Sequence, residues 1–88
     1  MKLHFHADPG HGWLKVPRRT LTDLGIADKI TSYSYQRGQW VYLEEDCDYS
    51  TFIRAAREAG IEVSMIPHST DNRSRIRSYQ SYTNQPGA

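Results

Sequence analysis

From Lys2 to Val16 apolar residues recur at every second position, and the alternation is broken once, by Asp8-Pro9-Gly10. A strand half-buried in a sheet has that period, so Leu3, Phe5 and Ala7 belong to one face and His4, His6 and Asp8 to the other. The proline-glycine break is turn chemistry, and the chain resuming at Gly12 folds back with Trp13 beside the first strand. A hairpin that is apolar on one face is marginal alone in water, so the rest of the chain has to cover it.

Two segments can do so. Pro17 suits a first helical position, Leu21 and Leu24 share a side, and Gly25 can terminate, which predicts a short helix over 17–24. A second helix opens at Asp48 or Ser50, carries Phe52, Ile53, Ala55, Ala56 and Ala59 toward a core, and ends at Gly60. Between them, residues 32–35 and 40–44 read as strands joined by the loop Gln36-Arg37-Gly38-Gln39. That loop sets Tyr35 opposite Trp40 and Tyr33 opposite Tyr42 on an aromatic face, with Ser34 opposite Val41 and Ser32 opposite Leu43 behind it. Residues 61–66 form a strand bounded by Pro67. The order is ββαββαβ and the fold class α+β: a single small domain with an antiparallel sheet of four to six strands and two helices on one face. Residues 1–67 make the compact domain. Residues 68–88 are an Arg/Ser/Tyr-rich segment, partly ordered at most, in which the spacing of Arg75, Arg77 and Tyr79 allows a late edge strand over 74–80 and residues 83–88 should fray.

A chain of 88 residues buries only about 60 to 65% of the surface it exposes when unfolded, which leaves little interior for an enclosed cofactor, and none is expected. Cys47 is the lone cysteine, so no disulfide frame exists, as suits a reducing compartment. No apolar run approaches the length of a membrane span and the N-terminus lacks the apolar core of a signal peptide, which predicts a cytoplasmic protein with no membrane partner. Net charge is +1, but residues 1–39 are basic, 40–65 acidic and 66–88 basic again. That pattern argues against a general polyanion binder and for local patches.

Three constellations could carry chemistry. His4 and His6 on one strand face, with Asp8 and His11 at the turn, have ligand spacing for a metal, although solvent-facing strand histidines beside a turn-capping aspartate are the simpler reading and no metal is assigned. The segment is similar to the His-x-His strand ends of metal-dependent amidohydrolases and to the metallo-β-lactamase motif, but it lacks the histidine directly after Asp8 and a downstream ligand set apart from His68. Tyr33, Tyr35, Trp40 and Tyr42, with Arg37 at the loop tip, form either core or a surface for stacking and protein contact. Next to them, Glu44, Glu45 and Asp46 precede a helix, where its dipole favours negative charge; they could also face a basic partner. Arg73, Arg75 and Arg77, interleaved with serines and Tyr79, suit phosphate contact or a charged, soluble edge. No nucleophile-base arrangement and no phosphate-cradling loop is present.

The segments His4-Phe5-His6-Ala7-Asp8-Pro9-Gly10-His11-Gly12-Trp13-Leu14-Lys15-Val16-Pro17, Leu24-Gly25-Ile26-Ala27, Ser32-Tyr33-Ser34-Tyr35 and Tyr42-Leu43-Glu44-Glu45-Asp46-Cys47-Asp48 resemble a family of small uncharacterised proteins encoded by bacteriophages, prophages and plasmids. The resemblance spans roughly residues 3–60. It implies a mobile-element setting and a stoichiometric binder of a host protein or nucleoprotein complex, of which anti-defence inhibitors are one kind, acting in the cytoplasm of a bacterial host. It assigns no functional residue. The resulting expectation is a non-enzymatic accessory protein; the alternatives are a small nucleic-acid-binding protein and a metal-dependent hydrolase using the histidine segment.

Overall fold

The N-terminal alternation becomes β1 (Lys2–Ala7) and β2 (Gly12–Pro17), paired antiparallel with Phe5 opposite Leu14 and His6 opposite Trp13. In the computed structural model residues 1–84 are described. α1 (Arg18–Asp23) follows, then a 3₁₀ turn over Ala27–Lys29, β3 (Tyr35–Arg37), β4 (Trp40–Glu44), α2 (Asp48–Glu58), β5 (Ser64–Ser69), a second 3₁₀ turn over Arg75–Ser78 and the short β6 (Gln80–Ser81). The class is α+β, as the patterning predicts. The six strands lie in the order β5-β1-β2-β4-β3-β6.

The sheet is mixed rather than antiparallel throughout, because β5 runs parallel to β1. Leaving β4 near the middle of the sheet, the chain crosses the core face as α2 and returns at the far edge, a connection too long for a hairpin and suited to parallel pairing. β5 begins and ends three residues later than the 61–66 strand expected, with Pro67 inside it. The ladder explains this. The Ser64 N–H donates to the Met1 carbonyl and the Thr70 N–H to that of Ala7, so with a period of two the nitrogen of Pro67 points out of the sheet, where no donor is needed.

Alternation gives the sheet two unlike faces. Leu3, Leu14, Val16, Val41 and Leu43 pack on one side with Leu21 of α1 and Phe52 and Ala56 of α2 into the main core. Both helices therefore cover the same face. Opposite them stand His4, His6, Trp13, Lys15, Tyr35, Arg37, Trp40 and Tyr42. Part of this second face is roofed by the segment after β5, in which Ile76 is buried against Trp13 and Tyr42, with Tyr35 and Tyr79 packed around them. Tyr82 crosses to the main core and donates a hydrogen bond to the Ala27 carbonyl. Where an edge strand was expected over 74–80 there is a 3₁₀ turn and then a two-residue strand. The fraying expected for 83–88 concerns, from residue 85 onward, positions outside the described residues.

One register differs from expectation. Arg37 pairs with Trp40 and Tyr35 with Tyr42, two residues out of step with the anticipated pairing. Gly38 takes φ 58° and among the described residues no non-glycine residue, Gln39 included, has positive φ, so a two-residue turn with glycine first joins the strands, the II′ arrangement that matches strand twist. A shift of two keeps every side chain on its expected face. It does remove Ser32, Tyr33 and Ser34 from the strand and brings Gln36 and Arg37, expected in the loop, into it.

Candidate functional site: two clefts on the open sheet face

The roof is held by a carboxylate. Asp8 at the β1–β2 turn accepts the N–H groups of Gly10 at 3.0 Å and His11 at 2.9 Å, and from far along the chain the Ser74 N–H at 2.9 Å and the Arg77 guanidinium at 2.7 and 2.8 Å. The guanidinium also lies over the Trp13 ring, 5.7 Å from its centroid. Arg77 foremost, then the Ser74 N–H, hold the Asp8 carboxyl far below the usual carboxylate range, while partial burial opposes them. A folded-state pKa below the unfolded one stabilises the fold fully above the unfolded value near 3.9, and that contribution drains away as pH falls from there toward the folded value. The expected result is a gap between the urea midpoints of the parent and Asp8→Asn that is full near pH 6 and narrows steadily from about pH 5 to about pH 2. A gap independent of pH would contradict the role given to this pair.

Asp8 is thus committed to structure and is not gathered with the other histidine-segment residues. His11 is exposed beside Trp13, with ring centroids 6.1 Å apart. His4 and His6, in contrast, meet His68 of β5, whose register places it opposite His6. The ring centroids of His68 lie 4.9 Å from His4 and 4.8 Å from His6, and Nδ1 of His4 is 2.7 Å from Nε2 of His68. Burial, then the neighbouring His68, Lys15 and His4, lower the pKa of the His6 imidazole and favour its neutral form.

The aromatic set divides. Tyr42 is buried, Tyr35 half-buried, and Trp40 exposed with the Lys15 ammonium 4.3 Å above its ring. Arg37 lies over Tyr79 at 5.1 Å. Tyr33 is 77% exposed and lines, with Trp13 and Tyr35, a cleft of about 420 Å³ to which His11, Glu44, Asp46, Cys47 and Arg77 also contribute. Glu45 is exposed nearby in sequence and lies outside that lining.

Glu44 has a structural duty as well. α2 has no side-chain cap at Cys47, and Glu44 supplies one by accepting the N–H groups of Asp46, Cys47 and Asp48 at 2.8, 2.6 and 2.8 Å. Ligand atoms of Glu44, Cys47 and Asp48 lie within 4.8 Å of one another, but the Asp48 carboxylate is consumed by Thr31 and Ser34. The cluster is a helix start.

A second cleft, of about 450 Å³, lies across the roof on the other side. Lys15, Arg73 and Arg75 bring three cations to it, His6, Thr70, Ser74 and Tyr79 add polar groups, and no carboxylate lines it. Arg73 and Arg75 thus share a cleft, whereas Arg77 turns to Asp8 and the acidic cleft. Sequence reasoning missed His68, Trp13, Lys15 and Thr70 as site residues. His68 stood in the sequence only as an isolated downstream ligand, and the strand pairing is what brings it beside His4 and His6. Among the described residues no helix is long and apolar enough to cross a membrane. No family model, curated protein or solved structure matches the chain.

Proposed function

We propose that the protein is a non-enzymatic accessory protein that binds a macromolecule of its host, and that its working surface is the aromatic–acidic cleft. The observation that carries this reading is the meeting of Trp13, Tyr33 and Tyr35 with Glu44 and Asp46 around one opening. Aromatic faces and carboxylates together suit a lysine or arginine side chain, which gains a cation–π contact and an ion pair while its aliphatic stem is desolvated. Arg77 does not cancel this character, because Asp8 already neutralises it. A basic segment of a host protein or nucleoprotein complex is the fitting occupant, and an anti-defence inhibitor acting by occlusion is one form such a binder takes.

The cationic cleft supports a second reading, nucleic-acid binding through phosphate contacts by Lys15, Arg73 and Arg75. One experiment separates the two: affinity capture from a bacterial lysate, with the parent, a Tyr33→Ala/Asp46→Lys variant and an Arg73→Ala/Arg75→Ala variant compared. All four substituted positions are exposed, so folding should be retained. The first variant is expected to lose about 2 kcal/mol or more of partner affinity, and the second little. Loss confined to the arginine variant, together with binding that weakens steeply with salt, would overturn the acidic cleft in favour of the nucleic-acid reading.

A further inference from the structure

We propose that His4, His6 and His68 form a binding site for a single divalent transition-metal ion of the zinc type, independent of the macromolecular binding surface. Two of the imidazoles come from one strand, spaced so that both project from the same face, and the third comes from the adjacent parallel strand directly opposite His6. Three neutral imidazoles from a rigid sheet, leaving a fourth position for solvent, are a recurrent way of holding zinc. The rings already crowd together, at 4.8, 4.9 and 6.3 Å between centroids. Nδ1 of His4 and Nε2 of His68, 2.7 Å apart, share a hydrogen bond, and an ion would take the place of the proton between them as the nitrogens separate, with His6 turning from its stacked position on His68 to supply the third nitrogen. Among the described residues no carboxylate is hydrogen-bonded to His4 or His68, and Lys15 stands opposite His4 across the β1–β2 pair. The imidazole nitrogens alone would therefore supply the protein's ligation, against the repulsion of the neighbouring Lys15 ammonium.

His68 replaces the two residues that sequence spacing had suggested beside His4 and His6. Asp8 is occupied by Arg77, and His11 lines the other cleft. Nitrogen-only ligation selects zinc, cobalt, nickel or copper over magnesium or calcium.

The test uses the untagged full chain, titrated with zinc(II) in competition with a chromophoric chelator, and with cobalt(II) read by its visible absorption. The expected result is one ion per chain, bound with a dissociation constant at or below about 1 μM. Because losing a group that merely orients a ligand costs 10–100-fold, His68→Ala and His4→Ala should each weaken binding at least about 100-fold. Both residues are exposed, so circular dichroism should confirm unchanged folding. His11→Ala and Cys47→Ser should bind as the parent does. Absence of stoichiometric zinc, retention of affinity in His68→Ala, or loss in Cys47→Ser or His11→Ala would overturn the assignment.

Discussion

Replacing Asp48 with alanine is expected to cost about 3 to 5 kcal/mol, a large part of the stability of a domain this small. Asp48 opens α2 and is fully buried. Its two carboxylate oxygens accept the Thr31 N–H at 3.1 Å each, and one of them also accepts the Thr31 hydroxyl at 2.7 Å and the Ser34 hydroxyl at 2.6 Å. Ser34, itself fully buried, accepts the Glu44 N–H at 3.0 Å. One carboxylate thus ties the segment before β3, the end of β4 and the first turn of α2 together. Truncation leaves the half-buried Thr31 N–H and hydroxyl and the buried Ser34 hydroxyl without their acceptor and removes a negative charge from a helix N-terminus. Asp48→Asn, which keeps shape and one carbonyl acceptor, should cost roughly half as much. Urea unfolding checks both; an Asp48→Ala loss below about 1 kcal/mol would show the network to be incidental.

The second large effect concerns the C-terminal segment. Deleting residues 72–88 is expected to destabilise the domain by about 3 to 6 kcal/mol, since it exposes two apolar sites that Ile76 and Tyr82 fill. Ile76 and Tyr82 are each 4% exposed. Deletion also uncovers Trp13 and Tyr42 and leaves Asp8 without Arg77. Near-ultraviolet circular dichroism should lose the signal of the packed aromatics, and the melting transition should broaden or fall toward room temperature. A truncated chain that unfolds as cooperatively and at the same midpoint as the full one would show that the segment is an ornament.

These two residue sets also mark how far the sequence could be read. Local periodicity made β1, β2, β4 and both helices legible, because the alternation of Leu3 and Phe5 and the spacing of Phe52 and Ala56 are intrinsic to each segment. Contacts of long range were not legible. Asp8 and Arg77 are 69 positions apart, and His4 and His68 are 64 apart, so neither pairing leaves a trace in nearby residues. The tail's polar composition concealed that two large side chains and one ion pair order it. Pro67 read as a strand end because its missing donor matters only when the nitrogen faces a neighbour. Ser34 looked like the polar back of a hairpin, and its burial follows only from a carboxylate presented by a different element. The candidate surface was legible in its parts, Tyr33, Tyr35, Glu44 and Asp46, while Trp13 and His11 joined it through sheet order alone.

The central claim, that the aromatic–acidic cleft is the working surface, is tested most directly by hydrogen exchange on the complex with the captured host partner. Protection on binding is expected at residues 11–13, 33–35 and 44–47, with residues 73–75 exchanging as in the free protein. Protection confined to 4–6, 15 and 70–75, with the cleft segments unchanged, would contradict the claim.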